Sequence, residues 1–539
     1  MLSNNRNKER LLLIVSGILM GISFPPFPFP CQLLMFIGLV PYFLVVEKRE
    51  KLIDLNRASY IMGFVFSLIT LYWVGSWQKE ADTFLMISGG LLIFVNPVFF
   101  MIPTTLLYFS RNLFPKGIAI YLFPLFWITY EYLYMITDLS FPWLTLGSGL
   151  SQFHIFIQIA DIIGAVGISL IVIYINIFIA KAIKAKSFFP KSFRINIALA
   201  AGIFLFVIVY GVFRLSTFKI SDKKVKVGLI QPNIDPWKKW SNTNLHDLTS
   251  VYFDLSLQAV NKGAQVIFWP ETALPVYLRD GGYDYVLNSI YSFLDKNNVS
   301  LISGMPDLIY YKSGDRMPED VKYSKPGNYY YATYNAVLSF SPHGREIERY
   351  GKSKLVPFGE RVPFVDQLPF LRDFIKWSVG ISDWNVGRDT TVFKVPLVNM
   401  DTLKINSLVC YESIYPYYIE RFINKGADLI SVVTNDSWYG NSSGPYQHKE
   451  MAVLRAVENR KTVVRAANGG ISCIIDPLGR TLSESKMFTK TQITGDVFIQ
   501  ENETFFSKFP LILPVISLVF SFWVFGIFIM KKLKVRLGL

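Results

Sequence analysis

Eight apolar runs, at 11–24, 31–46, 58–77, 84–109, 117–136, 153–180, 195–213 and 510–530, constrain this chain more than any other feature. A helix needs about 20 largely apolar residues to cross a bilayer, and a water-soluble fold cannot bury this many such stretches. Half of the residues are hydrophobic (51%) and the mean hydropathy is +0.33, which places the chain in the membrane class. The first run is short for a span, and Pro25-Pro26-Phe27-Pro28-Phe29-Pro30 separates it from the second. No small-x-small cleavage site leads into a polar mature start, so the pair reads as a retained helical hairpin.

The net charge of +14 would suit a nucleic-acid partner until its placement is considered. Arg6, Lys8 and Arg10 precede the first run, and Lys48, Arg49, Lys51 and Arg57 follow the second. Arg111 and Lys116, then Lys181, Lys184, Lys186, Lys191 and Arg194, and finally Lys531, Lys532, Lys534 and Arg536 continue the series in alternate loops. The short loops between them hold only Lys79. Cytoplasmic loops carry such an excess. The charge is therefore topogenic and no nucleic acid is expected. Both termini are expected in the cytoplasm, and everything between the seventh and eighth runs outside it. In loop 137–152, which has no basic residue, Phe141-Pro142-Trp143-Leu144 suits an interfacial aromatic belt. Asp161, inside the sixth run, is costly in a membrane, and a helix-to-helix hydrogen bond is expected for it.

From Lys224 the texture changes. Strands are expected at 225–231, 264–271, 300–304, 335–340, 403–410, 429–434, 462–467 and 472–475, with an amphipathic helix at 244–262. This alternation implies a layered α/β domain long enough for a large core. The expected domains are a helical membrane domain at 1–220, an α/β domain at 221–505, and a last helix with a basic tail at 506–539. The only cysteines are Cys31, Cys410 and Cys473, which rules out a disulfide framework, and four histidines offer little for a His-based triad or zinc site. With no Gly-rich phosphate loop and no HExxH, neither a cofactor nor a metal is expected.

Chemistry in α/β folds gathers at strand ends. Cys410 stands where the apolar strand pattern of 403–409 gives way to a helical one. A thiol at a helix start meets unpaired N–H groups and the positive end of the dipole, both of which favour thiolate. A small buried core cysteine, or one paired with Cys473, is the plain alternative. Glu271 ends another strand in Trp269-Pro270-Glu271-Thr272, and Lys352 follows a third in Gly351-Lys352-Ser353-Lys354. A carboxylate to move a proton, a lysine with the Tyr411 N–H to neutralise an oxyanion, and a thiol to attack make a nucleophilic set. Each residue alone reads equally well as a solvated Glu, a surface Lys or a core Cys.

Trp-Pro-Glu271-Thr, Tyr350-Gly-Lys352-x-x-Leu and Cys410-Tyr411-Glu412 together resemble the Glu-Lys-Cys triad of the nitrilase superfamily. With Val356-Pro-Phe-Gly-Glu360, Asn435-Asp436-x-Trp438-Tyr439-Gly440 and the flanking spans, nearly the whole chain resembles the apolipoprotein N-acyltransferase family. The resemblance implies a nitrilase-like αββα sandwich joined to a membrane domain of about eight transmembrane helices. It also implies a bacterial inner membrane with the catalytic domain in the periplasm, in agreement with the charge pattern. Glu271 is then the general base, Lys352 the oxyanion group and Cys410 the nucleophile. Glu360 orients Lys352, Trp240 and Trp438 lie on loops beside the site, and Tyr411 and Glu412 follow the nucleophile. Lys354 stands where many nitrilase relatives have His, so it competes with Lys352, whose spacing to Glu360 is the better one. The tyrosine-rich stretch 310–331 is longer than the family pattern leads one to expect.

The implied reaction runs through an acyl-cysteine, from a phospholipid donor in the bilayer to the α-amino group of a diacylglyceryl apolipoprotein. Segment 362–384, with Pro363-Phe364, Leu368-Pro369-Phe370-Leu371 and Phe374-Ile375-Lys376-Trp377, reads as an aromatic arm for lipid or for covering the site, or as a buried helix. A membrane-tethered amidase acting on small amides and a transporter with an outer binding domain are the competing readings. Eight runs exceed what tethering needs, and one Asp161 is thin support for a transport path.

Overall fold

The computed structural model describes residues 2–79, 81, 83–185, 191–240, 244–312, 314–365, 367–368, 384–397 and 402–537. The aromatic arm expected at 362–384 falls mostly outside the described residues. The chain divides into two compact units: Met1–Gly75, Ile87–Phe218 and Lys508–Leu539 form one, and Ser76–Met86 with Lys219–Ser507 the other.

Among the described residues, six helices are long and apolar enough to cross a membrane: Leu52–Gly75, Thr83–Arg111, Lys116–Ile136, Ala160–Ile183, Lys191–Thr217 and Ile512–Leu537. The expected count of eight is not reached by this measure. The first run lies in the helix Leu2–Ile22, whose opening half carries Arg6, Lys8, Glu9 and Arg10. The second is broken into Cys31–Leu34, Met35–Gly38 and Val40–Val46. Several polar side chains buried in the helical unit pair with one another across helices. Tyr134 donates to Asn96 Oδ1 at 2.9 Å. Asp161 accepts from Tyr210 Oη at 2.6 Å and from Arg214 Nε at 2.8 Å, the expected bond between two helices. Phe141 and Trp143 are buried, with Trp143 4.8 Å from the Trp73 ring, so the belt expected there is instead interior packing.

Among the described residues, the second unit has thirteen strands: β1 Lys224–Gln231, β2 Val266–Trp269, β3 Ser300–Tyr311, β4 Lys322–Ser324, β5 Tyr329–Phe340, β6 Glu348–Gly351, β7 Phe393–Val395, β8 Leu403–Val409, β9 Leu429–Thr434, β10 Thr462–Ala467, β11 Cys473–Ile475, β12 Thr481–Glu484 and β13 Thr491–Phe498. One sheet runs β13-β1-β2-β3-β5-β4, with β6 also paired to β5, and the other β12-β11-β10-β9-β8-β7. The middle of each is parallel, β1-β2-β3 in one and β8-β9-β10 in the other. Every residue of β2, β9 and β10 is buried, as strands covered on both faces must be.

The sheets meet where β1 lies by β10 and β5 by β8. Outside the first sheet, helices Leu245–Asn261 and Asp284–Asn297 bury Leu248, Tyr252, Leu255, Val286, Ile290 and Leu294 in a core with Ile267, Trp269, Leu301 and Phe340. Helices Pro416–Ile423 and Ser443–Asn459 cover the second sheet. This is the αββα sandwich.

Candidate active site

Parallel strands deliver their carboxyl ends to one edge, and three chain corners there carry the candidate groups. Glu271 comes two residues after β2, Lys352 directly follows β6, and Cys410 directly follows β8. The Glu271 corner is held tightly: Ala273 N donates to Gly304 O at 2.7 Å. A Cβ on Gly304 would lie 2.5 Å from Glu271 Cα, so only glycine lets the two backbones approach this closely. Thr272 has φ +46°, an unusual conformation for a β-branched residue, and such strain persists only where the surroundings enforce it.

Lys352 is 1% exposed. Its Nζ lies 2.8 Å from Glu360 Oε1 and 3.5 Å from Glu271 Oε1. Asn335 ties the two carboxylates together, donating from Nδ2 to Glu271 Oε1 at 2.8 Å and to Glu360 Oε1 at 3.0 Å. Its carbonyl accepts from Lys352 N at 2.8 Å. Burial opposes the ammonium charge, but Glu360 and Glu271 outweigh it and raise the Lys352 pKa above the ordinary lysine value. Lys352 is therefore a fixed cation. Lys354 lies over the Tyr415 ring, 5.4 Å from its centroid, while Lys352 is the lysine that meets Glu271 and Glu360.

Cys410 opens a five-residue 3-10 turn, Cys410–Ile414, and not an α-helix, because Tyr415 is extended and Pro416 starts the next helix. A turn this short offers little dipole. Burial, with Glu271 adding to it, pushes the Cys410 thiol above its ordinary value, while Lys352 opposes them. The direction is opposite to the lowering expected of a thiol at a helix start, which leaves more for a neighbouring base such as Glu271 to do. All three cysteines are free, so no bond joins Cys410 to Cys473.

Glu412 binds the corner to the lysine loop. Its Oε1 accepts from Tyr350 Oη at 2.6 Å, Ser353 N at 2.7 Å and Lys354 N at 3.1 Å, and its Oε2 accepts from Val409 N at 2.9 Å. Tyr411 is buried against Tyr415, 5.4 Å between rings, and is not among the residues that wall the cavity described next.

Glu271, Lys352, Glu360 and Cys410 open into one cavity of about 120 Å³, walled by Trp237, Trp240, Trp438, Tyr439, Val356 and Leu85. Trp237 meets Trp438 edge to face at 4.8 Å. The Trp438 carbonyl accepts from Ser76 Oγ and, at 3.0 Å, from Gln78 Nε2. Sequence reasoning named both Trp240 and Trp438. It missed Asn335, and it missed Leu85 as well as Ser76 and Gln78, which lie 362 and 360 residues from Trp438 in sequence.

Lys239, also missed, is 2% exposed and donates to Thr272 Oγ1 at 3.3 Å. Burial lowers its pKa to about 7, with Glu271 opposing the fall. Asp436, His448 and Arg465 stand behind the corner. Cys410, Asp436 and His448 each place a donor atom within 4.8 Å of the other two, a set able to hold a metal ion. Asp436 already accepts from Arg465 Nη2 at 2.6 Å and lies 2.9 Å from His448 Nδ1, so a metal would compete for lone pairs in use. Despite burial, Arg465 and His448 hold Asp436 well below the usual carboxylate range.

Residues 226–503 match the carbon-nitrogen hydrolase family, and residues 16–178 match the apolipoprotein N-acyltransferase N-terminal domain. The chain is 32% identical to the apolipoprotein N-acyltransferase of Chlorobaculum tepidum, an alignment covering 96% of each protein. The chain belongs to the apolipoprotein N-acyltransferase family. It is also 31% identical to the family member of Geobacter metallireducens, over 93% of this chain and 92% of that protein. To the member from Rickettsia typhi it is 31% identical, over 95% of this chain and 97% of that protein. It is therefore an enzyme, an acyltransferase on a nitrilase-type catalytic unit with a helical membrane unit.

Proposed function

We propose that the chain transfers a fatty acyl group from a phospholipid, through a thioester on Cys410, to the α-amino group of a diacylglyceryl-cysteine at the start of an apolipoprotein. The observation that carries this reading is the meeting of a base, a fixed cation and a thiol from three strand ends in one aromatic-walled cavity. Glu271 takes the thiol proton as sulfur attacks the ester carbonyl. Lys352 offsets the charge that develops on the carbonyl oxygen. The C–O bond breaks, Glu271 returns the proton to the departing glycerol oxygen, and lysophospholipid leaves. The acceptor nitrogen then attacks the thioester, the C–S bond breaks, and its proton passes by way of Glu271 to sulfur. Water is the competing acceptor, and the tryptophan wall supports its exclusion.

Glu360 and Asn335 hold Lys352 and Glu271 in register, while Glu412 sets the corner against the lysine loop. The charge pattern supports an inner-membrane protein with cytoplasmic termini and a periplasmic catalytic domain. Incubation with phospholipid vesicles alone tests the proposal: the peptide containing Cys410 gains the mass of one acyl chain. Absence of that adduct, with hydrolysis of small amides in its place, would favour the amidase.

A further inference from the structure

Cys410 has φ +49°, a left-handed conformation that side chains other than glycine adopt at a cost. Its carbonyl oxygen lies 2.8 Å from Ser413 Oγ and 3.1 Å from His448 Nε2, and those two atoms lie 2.8 Å from each other. A hydroxyl has one proton and a carbonyl only accepts. Ser413 donates that proton to the Cys410 carbonyl, so His448 Nε2 carries hydrogen and donates to both oxygens. The tautomer follows from the network.

The other ring nitrogen is fixed as well. His448 Nδ1 is 2.9 Å from Asp436 Oδ1 and 2.9 Å from Arg465 Nη2, and Arg465 also donates to Ile471 O at 2.7 Å. None of these three side chains is more than 4% exposed. Thr434 donates to Asp436 Oδ1 at 3.1 Å and helps fix that carboxylate. With Nδ1–H turned to Asp436 the ring is an imidazolium, and with Nδ1 accepting from Arg465 it is neutral. Both states keep Nε2–H on the corner.

We propose that His448 is a positioning residue for the nucleophile: braced by Asp436 and Arg465, it clamps the Cys410 carbonyl and so holds the left-handed corner that aims the thiol into the cavity. The proposal rests on Cys410 being the nucleophile, so its test includes a reaction that needs no acyl donor. Full-length protein in detergent carrying His448→Leu, His448→Gln or Ser413→Ala is compared with wild type. Two rates are measured: iodoacetamide alkylation of Cys410, and acyl-Cys410 formation from vesicles of phosphatidylethanolamine and phosphatidylglycerol.

His448→Leu is expected to slow both rates at least about tenfold, because small displacements of a reacting group are costly, with the dependence on lipid concentration unchanged. His448→Gln keeps an N–H at the same reach and is expected to restore most of both rates. Ser413→Ala leaves the buried ion pair intact, decides the matter if the histidine variants do not fold, and is expected to slow alkylation about threefold or more by the same displacement argument. A folded His448→Leu or Ser413→Ala protein that is alkylated at the wild-type rate would overturn the proposal, as would a glutamine variant as slow as the leucine one. Alkylation slowed as expected but no acyl adduct even in wild type would uphold the clamp and sink the acyl-transfer reading instead.

Discussion

Glu412→Gln is the substitution whose consequences the structure fixes most closely. The carboxylate is fully buried and receives four donors, three of them on Oε1 and Val409 N–H on Oε2. An amide in the same place keeps one acceptor oxygen and turns an NH₂ group toward one set of donors. With the oxygen toward Tyr350 and the lysine loop, Val409 N–H is left facing a second donor. A hydrogen bond to a charged group contributes about 1.5–3 kcal/mol and a stranded buried donor costs about 1–3 kcal/mol, so a loss of about 2–4 kcal/mol is expected after the other three bonds weaken. Chemical unfolding of the full-length protein in detergent measures that loss.

The catalytic consequence is separable. Ser353 and Lys354 are the residues directly after Lys352, and Val409 is the residue directly before Cys410, so Glu412 ties the lysine loop to the thiol corner. A shift of about 1 Å in such a contact costs about 10²-fold in rate, and acyl-Cys410 formation should fall by that order in protein that is still folded. A Glu412→Gln protein that unfolds at the wild-type denaturant concentration and acylates within about twofold would refute the reasoning, since fourfold acceptance by a buried carboxylate would then carry no weight.

Gly304→Ala is expected to push the Glu271 corner outward, because the new methyl would sit 2.5 Å from Glu271 Cα and 2.7 Å from Pro270 O. Overpacking of this kind costs about 1–3 kcal/mol, and single-turnover acylation should drop more than phospholipid binding does. Lys239→Met removes a buried ammonium whose pKa is lowered to about 7 from 10.5. The unfolded lysine holds its proton over that window while the folded one releases it, so wild-type stability rises with pH between the two values. The variant's gain over wild type should therefore be largest below pH 7 and shrink as pH climbs toward 10.5. Unfolding curves across that range check the sign.

How much of this was legible in sequence follows from which forces act locally. β2, β8, β9 and β10 are short apolar strands closed by polar residues, and the corners at Glu271 and Cys410 follow directly from them. The helix expected after Cys410 became a 3-10 turn because Pro416 resets the chain. The strands at 300–304 and 335–340 proved to be the starts and ends of twelve-residue strands, β3 and β5, whose tyrosines pair across the hairpin, Tyr310 with Tyr331 and Tyr311 with Tyr330. Edge strand β13 was not expected; it is half-buried apart from Gln492 and Val497, and its polar-rich sequence gives only a weak signal, yet it pairs with all of β1.

Asn335 and His448 were illegible for a different reason. Their partners lie 64 and 38 residues away, and only the sheet topology brings Asn335 to Glu271 and His448 to Cys410. Four scattered histidines gave no reason to single out the one on helix Ser443–Asn459. In the membrane unit hydropathy alone located the long helices, while charge in Leu2–Ile22 and breaks within 31–46 kept those two from qualifying.

The central claim is that Cys410 carries the acyl group between donor and acceptor. The most direct test isolates the enzyme after incubation with phospholipid, removes free lipid, and adds a diacylglyceryl-cysteine peptide while the mass of the Cys410 peptide is followed. The account predicts that one acyl chain leaves Cys410 as one appears on the peptide's α-amino group, and that Cys410→Ala shows neither event. N-acylation that proceeds with Cys410 never acylated, or that survives Cys410→Ala, would contradict it.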